Sequence, residues 1–307
     1  MDGLGADARA KWLTKMKCEF RWSATAPVFG ITGAVLLLLL PAHIDAQRGG
    51  NAQPPVTAQA AAPIDLTGYW VSIVTEDWIW RMTTPQNGDF GFGAGTPEAA
   101  AGRGPIPMNA EGRRVALAWD PAKDEAEGNQ CKSYGAGNIM NVPGRFHITW
   151  DDANTLRMEV DAGMQTRLFH FGESRPTNTQ PSWQGYSVAE WDGLSDFEKR
   201  YLGTPQGRGE LIRQTFGVGG GSRNGNLKVV TTSLLPGYLR KNGVPYSANA
   251  VLTEHFRIFT EPNGDTWLIT TALVDDPQYL TEPFLISRTF KKELDGSRWN
   301  PTPCTAR

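Results

Sequence analysis

Short segments that alternate apolar and polar residues, separated by turn sequences, constrain the fold of this 307-residue chain more than any other feature. Residues 146–150, 155–160 and 164–171 alternate in this way, with Asp-Asp-Ala-Asn and Asp-Ala-Gly between them. Period-two runs of this kind predict strands that bury one face. We therefore expect a three-stranded antiparallel meander, because each connection is short and has turn chemistry.

Other strand segments and a few short helices complete the prediction. β-Branched and aromatic runs occupy residues 68–75, 183–191, 211–216, 227–235, 250–259, 266–274 and 284–290, which brings the total to about ten strands. The sequence Glu-Pro-Asn-Gly-Asp at 261–265 predicts a hairpin turn, because Pro presets φ and Gly accepts a left-handed conformation. Asn109 is the predicted N-cap of a helix over residues 109–119, and Ser195 with Glu198 predicts a second helix to residue 201.

Composition supports an all-β, mostly antiparallel fold. The chain has 34 Gly, 21 Pro and 11 Trp, which is typical of a turn-rich and aromatic-rich β protein. A closed barrel would remove exposed strand edges and could hold one small ligand. The alternative is a two-sheet sandwich, which has the same periodicity. The glycine-rich stretches 88–104, 203–209 and 217–225 are expected to be loops at the rim.

Residues 1–46 have the organisation of a secretory signal peptide. Five basic residues, the last of them Arg21, precede an apolar stretch at 26–42, and small residues then lead to Ala46. Cleavage after Ala46 would place the protein in the periplasm or outside the cell, and a start at Met16 would give a leader of ordinary length. The alternative is an uncleaved anchor, because roughly 17 apolar residues is the lower limit for spanning hydrocarbon. The membrane would then be contacted only through this segment.

The mature chain is predicted to consist of a disordered spacer at residues 47–63 and a single barrel-like domain at residues 64–307. Residues 47–63 lack large apolar side chains and are rich in Ala, Gln, Pro and Gly. Cys18 leaves with the leader, so Cys131 and Cys304 are expected to form a disulfide in an oxidising compartment. The alternative is two unpaired thiols.

Charge and ligand spacing exclude several classes of partner. Lys and Arg number 30 against 32 Asp and Glu, a formal net charge of -2, so no nucleic-acid surface is expected. The mature chain has His147, His170 and His255 but no H-x-H, H-E-x-x-H or Cys-x-x-Cys spacing. We therefore expect no metal site and no cofactor.

Glu254 is the acid with the most unusual surroundings. It shares a predicted strand face with Leu252 and Phe256, whereas His255 and Arg257 lie on the opposite face. A carboxylate on an apolar face is costly to bury unless it is paired or protonated. The partner would be Arg81, Arg167 or Arg288, and the alternative is an edge position at which the carboxylate reaches solvent.

Residues 75–81 are the densest cluster of acids and aromatics. Glu76, Trp78 and Trp80 share one face of a predicted strand, and Arg81 follows directly. Two indoles and a carboxylate at a barrel mouth would suit a ligand with a flat apolar body and a polar tip, such as a sugar, sterol or pigment. The alternative is that both Trp side chains belong to the core.

Gly68-Tyr69-Trp70 at the head of the first strand resembles the G-x-W signature of lipocalins and the wider calycins. The resemblance implies a lipocalin-like barrel in which the Trp closes the base and packs under an Arg from the last strand. Arg288 stands at a suitable place for that Arg. Independently of the family, a guanidinium stacked on an indole gains about 0.5–2 kcal/mol, and Gly allows a close approach.

Three hypotheses for function follow. The first is a secreted or periplasmic barrel that binds a small apolar or amphipathic molecule through Trp78, Trp80, Arg81, His255 and Arg257. The second is a secreted hydrolase or isomerase that uses a carboxylate, Glu76 or Glu254, with a nearby His or Arg such as His255. The third is a structural protein of the cell envelope.

Overall fold

The alternating segments form the wall of a closed barrel. The structure is a computed structural model that describes residues 56–74, 88, 106–192 and 225–307, which lie within the compact unit Pro54–Arg307. Its strands are β1 (Gly68–Ser72), β2 (Arg145–Asp152), β3 (Thr155–Val160), β4 (Gln165–Phe171), β5 (Tyr186–Asp192), β6 (Asn226–Thr232), β7 (Gly237–Arg240), β8 (Val244–Tyr246), β9 (Val251–Thr260), β10 (Thr266–Asp275) and β11 (Phe284–Glu293).

Nine of these strands make the barrel, in the order β1-β11-β10-β9-β6-β5-β4-β3-β2, with β2 returning to β1. The barrel prediction is confirmed, and the two-sheet alternative is wrong for this chain. The meander β2-β3-β4 and the β9-β10 hairpin are also confirmed. In the hairpin turn Gly264 has a φ of 91°, a conformation that glycine adopts without steric cost.

One neighbouring pair departs from the antiparallel expectation. Strands β4 and β5 run parallel, with Phe169 opposite Ser187. A parallel pair needs a long connection, and residues 172–185 provide it by carrying the chain back along the barrel before β5 begins. The backbone N–H of Ser182 is bonded to the carbonyl of Ser233 on this return path. The barrel is therefore mixed, with a single parallel pair among the described strands.

The helices are few and short, as expected, and each begins at a capping side chain. They are α1 (Ala58–Ala61), α2 (Ala110–Leu117) and α3 (Pro121–Ala126), with 3-10 turns at Gln130–Tyr134 and Ile139–Asn141. Asn109 is the N-cap of α2, as predicted, and its Oδ1 accepts from the N–H of Gly112 at 2.8 Å. Asp120 caps α3, which has Pro121 at its first position.

Residues 106–141, together with β7 and β8, form what we call the cap. Their apolar side chains, among them Ile106, Leu239 and Val244, cluster with Leu252, Val274 and Phe284, which lie at one end of the barrel. The cap holds itself together through the buried carboxylate of Asp124. That carboxylate accepts from Lys132 Nζ at 2.7 Å and from the hydroxyl of Tyr238 at 2.8 Å. Burial and the Asp124 charge raise the pKa of Tyr238.

Several predicted segments fall outside the described residues: the signal peptide at 1–46, the helix at 195–201, the strand at 211–216 and nearly all of the three glycine-rich loops. The described end of the predicted spacer, residues 56–63, contains α1. The N–H of Ala58 donates to Asn154 Oδ1 at 2.8 Å, and the carbonyl of Ala58 accepts from Trp191 Nε1 at 2.8 Å. The ordered chain therefore begins before Ile64.

Within the described ranges, helices long and apolar enough to cross a bilayer are absent.

Cys131 and Cys304 form the predicted disulfide, with their Cα atoms 5.1 Å apart. The bond joins the 3-10 turn Gln130–Tyr134 of the cap to the C-terminal tail, across 173 residues of sequence. Cys304 also packs against the core cluster that fills the barrel. The disulfide therefore fixes the cap to the segment that ends the chain.

Replacing both cysteines by alanine is expected to lower the free energy of unfolding by about 5 kcal/mol, because a loop of this length is freed in the unfolded chain. Urea unfolding of the domain measures the loss. Adding a reductant should destabilise the natural protein in the same way and leave the double variant unchanged. Equal unfolding midpoints for the two proteins would contradict a stabilising role for this bond.

Candidate functional site

The barrel interior contains a band of polar side chains between two apolar clusters. One cluster is formed by inward-facing residues such as Trp70, Phe169, Phe256 and Phe290, and it extends to Tyr134, Ile139 and Met140 of the cap. The other is the cluster that the cap shares with the barrel end. Between them, four neighbouring strands contribute one buried polar residue each. We call this set the polar row: Arg167 on β4, Ser187 on β5, Thr231 on β6 and Glu254 on β9.

Arg167 and Glu254 form a bidentate ion pair across the interior. Arg167 Nη1 lies 3.0 Å from Glu254 Oε1, and Nη2 lies 2.5 Å from Oε2. Both side chains are sealed from solvent, with exposed fractions of 0% and 1%. Of the three partners that the sequence left open for Glu254, the structure selects Arg167. The alternative of a solvent-reaching edge carboxylate is wrong.

The other two members of the polar row extend this pair into a network. Arg167 Nη2 also donates to Thr231 Oγ1 at 3.3 Å, and the hydroxyls of Thr231 and Ser187 are 2.7 Å apart. The guanidinium carbon of Arg167 lies 5.0 Å from the centre of the Phe169 ring. A network of this kind fixes the Arg167 side chain in one rotamer, because hydrogen bonds and a ring hold it on several sides.

Two buried donors beside this network have no partner within the described chain. They are the Arg167 Nε–H and the Tyr246 hydroxyl. Tyr246 ends β8 in the cap and is 1% exposed. Burial raises the pKa of Tyr246, and the nearby positive charge of Arg167 partly opposes the rise. A buried polar group without a hydrogen bond costs about 1–3 kcal/mol, so these two groups are the places in the described interior where water or another acceptor would be most favourable.

Three glycines leave the space that the Tyr246 ring occupies. A Cβ atom on Gly135 would come within 2.2 Å of the Tyr246 hydroxyl oxygen, and one on Gly237 within 2.5 Å. A Cβ on Gly137 would touch the ring itself at 3.0 Å. The ring therefore fits between the 3-10 region of the cap and β7 only because these three positions lack side chains. This close fit keeps the hydroxyl at the junction of the cap and the barrel.

His255 and Arg257 lie on the outer surface of the barrel. They alternate with Leu252, Glu254 and Phe256 along β9, as the sequence predicts, and Arg257 is exposed. A molecule inside the barrel would contact the inward-facing set only, so these two residues do not contribute to an interior site. For the same reason Glu254 and His255 do not form an acid–base pair. The role of His255 and Arg257 as ligand contacts therefore stays a prediction.

Gly68, Tyr69 and Trp70 lie at the end of the barrel opposite the cap, and a cation other than the expected Arg288 lies over the indole. Trp70 is fully buried, and its Nε1 donates to the carbonyl of Leu66 at 2.9 Å. The cation over the indole is Lys292, whose Nζ lies 5.4 Å from the ring centre. Gly68, with a φ of 107°, would meet Lys292 Cε at 3.2 Å if it had a Cβ. Trp70 and Lys292 face each other in the register of β1 and β11.

Arg288, which the resemblance places over Trp70, occupies another position. It lies four residues before Lys292 on β11, so its inward side chain points into the barrel at a level nearer the cap. It is 3% exposed, and its Nη1 donates to the carbonyl of Ser287 at 2.7 Å. The register of the last strand, which the sequence alone does not fix, decides which of the two cations reaches the indole.

The side chains of Tyr134 and Lys241 are hydrogen-bonded where the cap contacts the C-terminal tail. Lys241 Nζ donates to the Tyr134 hydroxyl at 3.1 Å and to Thr305 Oγ1 at 3.2 Å. Burial acts to raise the pKa of Tyr134, but the hydrogen bonds with Thr305 and Lys241 and the lysine charge outweigh it and lower the pKa. Tyr134 also packs against Gly163, where a Cβ would approach its ring to 2.3 Å. The contact therefore anchors the tail to the cap.

The remaining predicted contacts, Glu76, Trp78, Trp80 and Arg81, lie outside the described residues. Groups of three or more metal-ligating side chains are absent from the described ranges. Tyr246 and Lys292 were not among the residues that the sequence singled out. For Tyr246 a signal exists: Asn242-Gly243 is a hairpin dipeptide that would have predicted the β7-β8 pair.

Comparison with protein-family models, with curated proteins and with solved structures finds no match to this chain.

Breaking the buried ion pair from one side is expected to destabilise the fold strongly. Arg167→Met leaves the Glu254 carboxylate buried without its cation, and Glu254→Leu does the reverse, so each should cost about 3–5 kcal/mol. The double variant removes both charges and should recover most of that loss. Urea unfolding of all four proteins gives the coupling energy as a double-mutant cycle.

An exposed pair provides the control for this cycle. Arg157 and Glu159 lie on the outer face of β3 with Nη2 and Oε1 3.2 Å apart, and both side chains are more than a third exposed. Arg157→Met should therefore change stability by less than about 1 kcal/mol. Single-variant losses of similar size at both sites would show that the interior pair is not energetically distinct.

Proposed function

We propose that this protein binds a compact, largely apolar small molecule inside its barrel, with a hydrogen-bond acceptor on the molecule held at the polar row. The observation that carries the proposal is the pair of unsatisfied buried donors, Arg167 Nε–H and the Tyr246 hydroxyl, beside a fixed ion pair. The apolar clusters on either side of the polar row would contribute most of the binding energy, at about 25 cal/mol per Å² of apolar surface.

The charges of the polar row set the polarity of the ligand. Because Glu254 already neutralises Arg167, a second full negative charge is not needed for balance. Both unsatisfied groups can donate, so an acceptor such as a carbonyl, ether or hydroxyl oxygen complements them. A molecule with an apolar body and one such oxygen fits this arrangement.

The fixed ion pair supports a binding role over a purely structural one. Taking two charges out of water costs several kcal/mol per ion, and well-packed apolar side chains of similar volume often give equal or greater stability. A protein that needed only a solid core would gain little from Arg167 and Glu254. An interior that has to orient a polar tip gains a rigid donor, since hydrogen bonds on several sides hold the guanidinium.

The proposed place of action is the periplasm or the cell exterior. This rests on the basic and apolar organisation of residues 1–46, and the Cys131–Cys304 bond is consistent with an oxidising compartment. The hydrolase or isomerase alternative loses Glu254 as its carboxylate, because Glu254 is paired with Arg167 and faces away from His255, and its other candidate, Glu76, lies outside the described residues.

Native mass spectrometry of the protein purified from its own host tests the proposal. A bound small molecule should appear as a mass above that of the chain and should be released on denaturation. Extraction and identification of that molecule then gives its class. A uniformly ligand-free mass, from preparations made under mild conditions, would contradict the proposal.

Tyr246→Phe is expected to lower ligand occupancy while preserving stability. The hydroxyl that it removes has no partner in the described chain, so the unfolding free energy should stay the same or rise by up to about 1 kcal/mol. Loss of one hydrogen bond to the ligand should weaken binding by about tenfold. Urea unfolding and native mass spectrometry measure the two effects.

Tyr238→Phe is the matched control, because the Tyr238 hydroxyl donates to Asp124 at 2.8 Å within the cap. Its removal should cost about 1.5–3 kcal/mol of stability, the value of a hydrogen bond to a charged group, and should leave occupancy unchanged. If Tyr246→Phe instead behaved like Tyr238→Phe, losing stability with full occupancy, Tyr246 would be a structural residue only.

A further inference from the structure

The outer face of strands β9, β10 and β11 exposes two leucines side by side. Leu273 on β10 and Leu285 on β11 are directly opposite each other in the register, and both alternate with the inward-facing residues of their strands. Their exposed fractions are 37% and 64%. Apolar side chains at neighbouring exposed positions gain free energy when another surface covers them.

The leucines belong to a larger surface that we call the outer strip. It consists of the outward-facing residues within 253–257 of β9, 269–275 of β10 and 285–287 of β11. Next to the leucines, the hydroxyl oxygens of Thr271 and Ser287 are 2.8 Å apart and hydrogen-bonded. Covering these two hydroxyls costs less than covering unpaired ones, because each already has a partner.

Opposite charges lie at the two ends of the outer strip. Arg257 is opposite Ile269 in the register, and Asp275 lies six residues further along β10, a distance of about 20 Å. Both side chains are exposed. Among the residues that the structure describes, neither has an ion-pair or hydrogen-bond partner. One end of the outer strip is therefore positive, the other is negative, and neither charge is compensated within the described chain.

This arrangement is complementary to itself. A two-fold axis that lies in the contact plane and crosses β10 at the level of Ala272 is equally far from both charged ends. Rotation about it places Asp275 of one copy over Arg257 of the other, twice. Leu273 and Leu285 are only one residue, about 3.3 Å, from that level, so each would meet its own copy at the axis.

We propose that the outer strip is the contact surface between two copies of this chain in a two-fold dimer. The exposed leucines form its apolar centre, and the two Asp275–Arg257 contacts fix its orientation. The outer strip is about 20 Å long and, over three strands, about 10 Å wide, which places the contact at the small end of protein interfaces. The dimer is therefore weak and depends on protein concentration. It forms on the outside of the wall and does not depend on a ligand in the interior.

Sedimentation velocity at micromolar to millimolar protein measures the association, and charge reversal tests its orientation. Asp275→Arg makes both ends of the outer strip positive, and Arg257→Asp makes both negative, so each variant alone should associate at least about tenfold more weakly than the natural protein. An equimolar mixture of the two should dimerise again, because every contact between the ends then joins opposite charges. A mixture that stays monomeric would overturn the proposal.

A matched pair of leucine variants tests the apolar centre. Leu285→Ser should weaken association by about tenfold, because it removes apolar surface at the axis. Leu294→Ser is the control, because Leu294 is fully exposed but follows β11 and lies outside the outer strip. It should leave association unchanged. All four variants alter exposed side chains, so their urea unfolding midpoints should match that of the natural protein.

Two further results would overturn the proposal. One is a natural protein that is monomeric at every concentration. The other is a dimer that Leu285→Ser weakens no more than Leu294→Ser does, since its contact would then lie elsewhere. If a charge reversal lowers the unfolding midpoint, the comparison of the two leucine variants decides the matter.

Discussion

The closure of the sheet at β1 is the constraint on which the rest of this structure depends. Tyr69 on β1 pairs with His147 of β2 on one side and with Glu293 of β11 on the other, so a five-residue strand joins the two edges of the wall. Closure defines an inside for every strand, and a single register then decides which residues face it. In this register Trp70 faces inward and is fully buried, whereas Tyr69 faces outward and stacks on His147 with ring centres 4.0 Å apart.

Closure of the wall creates an interior of low polarity, which changes both the attraction between buried charges and the hydration that they lose. Attraction between opposite charges is several times stronger in such a medium than in water, but each charge also loses its hydration. Arg167 and Glu254 meet this cost by bonding to each other through two contacts, and Arg167 also donates to Thr231, which is in turn bonded to Ser187. Two groups that can donate remain near the pair, the Arg167 Nε–H and the Tyr246 hydroxyl. An acceptor, whether a water molecule or part of a ligand, complements them, and the occupancy of Tyr246→Phe separates the two.

Sequence periodicity predicted the parts of the fold that depend on local pattern. The meander, the hairpin at 261–265, the Asn109 cap and the face of β9 that holds Glu254 all follow from alternation or turn chemistry. The partner of Glu254 did not, because Arg167 is 87 residues away and reaches it only when β5 and β6 lie between β4 and β9. The parallel β4-β5 pair was missed for a similar reason: the direction of β5 depends on the path of residues 172–185 and not on the strand sequence. Nor could the sequence choose between Arg288 and Lys292 as the cation over Trp70, because both side chains face the same way on β11.

Four positively charged side chains of this protein differ in burial and in ion pairing, and they therefore have different roles. Arg167 is enclosed and ion-paired with Glu254, so its positive charge is cancelled and it contributes donors at a fixed position. Arg145 is partly buried and holds Glu293, which makes it a link between β2 and β11. Lys292 lies over Trp70 beside Gly68, with no acid within ion-pair distance among the described residues, and the exposed Arg298 has its nearest described acid at 4.0 Å. The degree to which each cation is enclosed therefore decides whether its charge is cancelled, joins two strands or remains open to solvent. Because exposed charges are also screened over roughly 8–10 Å in physiological salt, the charge of Arg298 acts only over a short range, whereas the Arg167–Glu254 attraction inside the barrel is little affected by salt.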